Sequence, residues 1–182
     1  MAERSETHGM LTIEEYLKLE EAATVKHEYV AGAIHAMIGA TKRHNRIALS
    51  IASRLIEAAR GGSCRVYASD VKVRVEDVVY YPDVMVACGP EDDDPLVEHT
   101  PCLIVEVTSP GTESIDRREK MLNHRKLPSL QAYLIVDQNR PWIERHWRDE
   151  RGEWRQGGLD RGAVPVPCPE TDLPVEEVYE NP

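Results

Sequence analysis

The chain has 182 residues, 41% hydrophobic, with a mean hydropathy of -0.47. That suits one domain large enough to bury a core, and no apolar run approaches the roughly 20 residues of a membrane span. Its net charge of -10 argues against a general nucleic-acid binder, which would need a broadly basic surface.

Residues 1–10, MAERSETHGM, read as a loose leader; they are acidic and lack an apolar signal core, which makes the cytoplasm the expected compartment. Thr12 and Glu15 form a T-x-x-E capping pattern that predicts a short helix to about Glu21. HEYVAGAIHAMIG then predicts a hairpin turning at Ala31-Gly32. Ile47, Leu49, Ile51, Leu55, Ile56 and Ala59 give helical spacing, and Gly61-Gly62 end that helix.

Strands are predicted at roughly 64–68, 70–75 and 79–87, the second half-solvated because Val71, Val73 and Val75 alternate with Lys72 and Arg74. CGPEDDDP at 88–95 is a turn-rich acidic loop. A strand over about 102–107, a helix over about 114–126, and strands at 131–137 and 142–148 follow, and DERGEW makes a further hairpin. From Gly157 the Pro- and Gly-rich chain predicts a weakly structured edge and an acidic tail over 161–182. The order describes an α/β or α+β domain with a mixed β-sheet flanked by helices.

Charge is distributed unevenly. Residues 42–72 carry seven Lys/Arg, residues 75–100 carry eight acids and no Lys/Arg, and residues 114–155 return to ten bases against seven acids. Cys64, Cys88, Cys102 and Cys168 form no CxxC pair, which argues against structural zinc; their even number permits two disulfides, but without a signal peptide they read as free buried thiols.

Two acids lie on predicted strands. LIVEVTSPG, from Leu103, places Glu106 inside a run suited to a buried strand, where a carboxylate is costly without a partner. YYPDVMV, from Tyr80, places Asp83 where a strand begins, after Pro82. If the strands are neighbours, the carboxylates converge and require a cation. Hard oxygen donors suit Mg²⁺ or Mn²⁺, with places left for water and a phosphate; that is the layout for phosphodiester hydrolysis. The Val107 backbone is a candidate carbonyl ligand, and Lys120, one turn after Asp116, is the candidate cation for the attacking water or the phosphate. No G-x-G-x-x-G, P-loop or G-x-S-x-G is present. Paired carboxylates could also serve a glycosidase, but that chemistry wants aromatic sugar platforms and the chain has no Phe.

Pro82-Asp83, then EVTSP from Glu106, then Asp116, Lys120 and Arg125, then YLIVD from Tyr133, together resemble the Uma2 (DUF820) family. That family belongs with the PD-(D/E)XK nuclease superfamily, and the resemblance spans roughly residues 11–160. It implies a restriction-endonuclease-like core and a Mg²⁺-dependent DNA endonuclease, and it adds Glu28 and His44 to the candidate site. The chain departs from the superfamily's E-x-K, because Thr108 stands where the lysine would be and Lys120 takes its place from the following helix. The competing expectation is a non-catalytic binding or assembly module on the nuclease fold, perceived in the net charge and the displaced lysine, with a homodimer through the Trp-bearing strands.

Overall fold

The computed structural model describes residues 10–37, 39–91, 93–108 and 119–180. Helix α1 (Ile13–Ala22) begins as its sequence predicts: the Thr12 side chain accepts from Glu15 N–H while Glu15 accepts from Thr12 N–H. Strands β1 (His27–Val30) and β2 (Ala33–Ala36) pair antiparallel through Ala31 and Gly32, both at positive φ, as a tight two-residue hairpin turn requires. Helix α2 (Lys42–Ala59) follows, capped by Thr41 accepting from His44 N–H.

The strands then run β3 (Cys64–Ala68), β4 (Lys72–Val75), β5 (Val78–Tyr80), β6 (Val84–Cys88), β7 (Val97–Glu98) and β8 (Pro101–Thr108). A short helix α3 (Met121–His124) leads to β9 (Ala132–Asp137), β10 (Ile143–Arg148), β11 (Trp154–Leu159), β12 (Ala163–Pro167) and β13 (Glu170–Pro174), and α4 (Val175–Val178) ends the fold. One sheet has the order β2-β1-β5-β4-β7 and a second β11-β10-β9-β8-β6-β3, while β12 and β13 form a separate hairpin. Pairing is mixed: β8 and β9 are parallel, and β6 is antiparallel to β8.

All eight residues of β8 are buried, because both faces of the strand are covered. Leu103, Val105 and Val107 pack with Ile47, Ile51 and Leu55 of α2, whereas Ile104 packs with Tyr80, Met85, Tyr133 and Ile135. By alternation Glu106 belongs to the Ile104 face.

Several expectations change. The run 79–87 is two strands in different sheets, since Pro82 interrupts it and the chain crosses from one sheet to the other. Lys72 is buried rather than half-solvated, with its ammonium 5.2 Å from the Tyr81 ring. On α2, Leu49 and Ile56 are exposed and Ala48 and Ala52 take the core positions. The segment after Gly157 is folded, with Val164, Val166, Leu173, Val175 and Val178 in the main core. The expected helix at 114–126 lies partly outside the described residues; within them it contributes α3.

The cysteines are not free thiols. Cys64–Cys88 and Cys102–Cys168 are disulfides. The β3/β6 register sets Cys64 opposite Cys88, and the C-terminal hairpin brings Cys168 to the start of β8. Neither proximity is visible as sequence spacing. Among the described residues, no helix is long and apolar enough to cross a membrane.

Candidate active site

The antiparallel register of β6 and β8 pairs Val84 with Val105, so one further step sets Asp83 opposite Glu106. Directly opposed residues of an antiparallel pair project to the same face. The Val107 N–H donates to Asp83 Oδ2 at 2.7 Å, which ties the entry of β6 to the carboxyl end of β8. Glu106 is only 3% exposed.

Lys120 answers the cost of burying that carboxylate. Its Nζ lies 2.7 Å from Glu28 Oε1 and 3.8 Å from Glu106 Oε1, and 5.5 Å from the Tyr80 ring centre. Glu28 comes from β1 and also accepts from Tyr81 N–H at 3.5 Å. His44, in the first turn of α2, sets Nε2 3.2 Å from Asp83 Oδ2. His44 thus touches Asp83, and Lys120 touches both Glu28 and Glu106; what joins the two groups is the Val107 N–H, next in the chain to Glu106, which donates to Asp83. Val107, expected through its carbonyl, meets Asp83 through its N–H.

Other candidates lie elsewhere. Asp70 pairs with Lys26 on the surface. Arg125 donates to His146 Nδ1 at 2.7 Å and covers the Trp154 ring, a packing role. Asp116 and Arg117 fall outside the described residues. On the basic helix, Arg43 donates to the Gln138 carbonyl and Arg54 to that of Asp172, so part of that charge ties α2 to the fold.

Sequence reasoning missed the ring of support around Lys120. Tyr80 donates to Glu119 at 3.1 Å and accepts from Asn123 at 2.8 Å, and burial raises the pKa of its hydroxyl well above the ordinary range. The available signal was position: Tyr80-Tyr81 directly precedes Pro82-Asp83. His124 lies between Tyr80 and Tyr133, its imidazole pushed down to about 3 by burial and then by the Lys120 cation.

Among the described residues, no group of three His, Cys, Asp or Glu close enough to share one ion includes Asp83 or Glu106. The candidate side-chain donors are then the Asp83 and Glu106 carboxylates alone. That fits Mg²⁺ or Mn²⁺, which keep several waters and take one or two protein carboxylates plus a substrate phosphate.

Comparison with known proteins follows the same lines. The family model described as "Uma2: Putative restriction endonuclease" matches residues 13–175. Two similar proteins come from Synechocystis sp. "Uncharacterized protein slr1290" is 38% identical over 79% of this chain and 77% of its own length. "Uncharacterized protein sll1609" is 34% identical over 81% of this chain and 86% of its own. A crystal structure titled as a putative nuclease belonging to DUF820, from Anabaena variabilis, superposes with a TM-score of 0.79. It covers 93% of this chain and 98% of that one at 18% identity, a likeness of fold.

Proposed function

This chain belongs to the Uma2 family, and from that premise we propose that it is a metal-dependent endonuclease hydrolysing the phosphodiester bonds of DNA. In this reading Asp83, Glu106 and the Val107 carbonyl hold Mg²⁺ or Mn²⁺. The observation that supports it is that Asp83 accepts from the Val107 N–H, one residue after Glu106, while Lys120 lies beside Glu106. A bound divalent ion of this kind polarises a phosphoryl oxygen and acidifies a coordinated water.

The protein's own groups supply the rest. Lys120 is buried beside Glu106, where low dielectric strengthens its pull on a phosphate oxygen or on the attacking water. Glu28 holds the ammonium in position at 2.7 Å. His44 and the Val107 N–H fix the orientation of the Asp83 carboxylate. The start of α2 sets the positive end of an 18-residue helix, with Lys42, Arg43 and Arg46, beside His44. Approach of a polyanion to a chain of net charge -10 then depends on this local field rather than on the total.

The test is cleavage of supercoiled plasmid and single-stranded oligonucleotides with Mg²⁺ or Mn²⁺. Wild type should cut, and Asp83→Ala and Lys120→Met should lose at least about a hundredfold. Absence of metal-dependent cleavage of either substrate with either ion would overturn the reading.

A second reading, a catalytically inactive nuclease-fold assembly module, is favoured by one distance: Lys120 Nζ is nearer Glu28 than Glu106. Strand β11, at the sheet edge and bearing Trp154, is then the surface for a homodimer. That reading predicts no cleavage and a dimer in sedimentation that an Arg155→Pro edge block disperses.

A further inference from the structure

Three cysteines of the chain meet at one point, and the fourth, Cys64, is bonded to one of them. Cys64 opens β3, Cys88 closes β6, Cys102 lies at the start of β8, and Cys168 sits in the turn between β12 and β13. The two disulfides abut: Cys88 Sγ and Cys102 Sγ are 3.5 Å apart, although they belong to different bonds. The sulfurs of Cys88, Cys102 and Cys168 all lie within 4.8 Å of one another, and Cys64 is bonded to the first of them. Among the described residues this is the one group of three or more His, Cys, Asp or Glu side chains close enough to share an ion.

We propose that, when both disulfides are reduced, the four thiolates form a tetrathiolate site for one Zn²⁺. Zinc–sulfur bonds of about 2.3 Å in a tetrahedron separate the sulfurs by roughly 3.8 Å. The 3.5 Å already found between Cys88 and Cys102 is within a few tenths of that spacing. Once their bond is broken, the sulfurs of Cys64 and Cys88 move apart by side-chain rotation, with no change of strand register. Four soft donors without an oxygen ligand select zinc over Mg²⁺ or Mn²⁺. Cys102 and Cys168 are 5% and 6% exposed and Cys64 and Cys88 are half-buried, so the ion would be largely covered, and four protein ligands would leave it no open position, as in a structural rather than a catalytic site.

The site would lie at the far end of the strands from the candidate active site. Strand β6 follows Asp83 and ends at Cys88; β8 starts near Cys102 and reaches Glu106 towards its other end. One ion would therefore tie β3, β6, β8 and the C-terminal hairpin together. Two molecules of a small disulfide oxidant would take four electrons from the four thiolates, become four thiolates themselves and release Zn²⁺, so metal and disulfides are alternative clasps on the same three strands and one turn.

The test uses the full chain and a phosphine reductant. Each disulfide consumes one phosphine and one water to give two thiols and a phosphine oxide, and metal binding then displaces the thiol protons. Co²⁺ is the optical probe, added with excess Mg²⁺ to cover the carboxylates. The reduced, folded chain should give sulfur-to-cobalt charge transfer in the near ultraviolet and intense tetrahedral d–d bands, at about one ion per chain, displaced by Zn²⁺. The oxidised chain should give neither. Cys102→Ser/Cys168→Ser should lose the bands, whereas Asp83→Ala should keep them, which separates this site from the carboxylates. No charge-transfer band in the reduced wild type, or one that appears only after urea unfolding, would overturn the proposal.

Discussion

The Val107 N–H donates to Asp83 Oδ2 at 2.7 Å, so the backbone of the strand carrying Glu106 fixes the acid at the head of its neighbour. Asp83 is consequently both a structural acceptor and a proposed metal ligand, and two substitutions separate the roles. Asp83→Asn keeps an oxygen for Val107 and should stay within about 1 kcal/mol of wild type in urea denaturation. Asp83→Ala leaves a partly buried N–H unpaired and should cost about 1–3 kcal/mol. Both should lose the Mn²⁺-linked rise in Tm expected of wild type. An undiminished rise in either variant would remove Asp83 from the ligand set.

Lys120 stands between two carboxylates, 2.7 Å from Glu28 and 3.8 Å from Glu106. Removing a buried cation leaves its partners uncompensated, so Lys120→Met should cost about 3–5 kcal/mol. Neutralising the buried acid as well should recover part of that loss: Lys120→Met/Glu106→Gln should be more stable than the sum of the single changes. Simple additivity in chemical denaturation would show that Lys120 and Glu106 are not coupled.

His124 is fully buried, and neither ring nitrogen has a hydrogen-bond partner among the described residues. Burial, then the Lys120 cation, lowers it from 6.5 to about 3. The folded state therefore refuses a proton that the unfolded chain accepts. Its contribution is fully present above about pH 6.5 and is lost progressively as pH falls towards about 3, because the unfolded state binds more protons in that window. The slope from this group approaches about 1.4 kcal/mol per pH unit. His124→Phe, which keeps a ring between Tyr80 and Tyr133, should flatten the acid limb by that amount. An unchanged limb in equilibrium unfolding across this range would refute it.

What could be read before the structure was local or chemically costly. The Thr12–Glu15 cap, the Ala31-Gly32 turn and the helix whose apolar spacing runs from Ile47 to Ala59 before Gly61-Gly62 follow from short-range rules. Glu106 stood out because a carboxylate inside an apolar strand needs an answer, and the fold places Lys120 beside it. Sheet membership was not legible: nothing local says that Tyr80 and Val84 belong to different sheets. The cysteine cluster was equally hidden, since it depends on the β3/β6 register and on a hairpin that returns from the far end of the chain. The proline and glycine content of the C-terminal segment suggested a weakly structured edge and tail, yet Pro165 and Pro167 lie on β12, whose partner is a single strand in a two-stranded hairpin.

That C-terminal segment should prove indispensable. Val164 and Leu173 are fully buried against the α2 side of the second sheet, and Val166 is nearly so. Arg54 and Ser50 of α2 donate to the carbonyls of Asp172 and Glu177, and the Tyr179 hydroxyl donates to the Asp137 carbonyl at 2.7 Å. Removing the segment would open the apolar face of α2 to water and leave the end of β9 without its hydroxyl donor. A chain ending at Asp160 should therefore fail to give a cooperative thermal transition. Leu173→Ala should cost about 2–5 kcal/mol through the cavity it leaves, and Tyr179→Phe about 1 kcal/mol through the lost hydrogen bond. The burial of Leu173 makes the larger loss the sensitive one. Calorimetry of the truncated chain showing the wild-type Tm and enthalpy would mean that the hairpin is an appendage, and that α2 is held to the sheet without it.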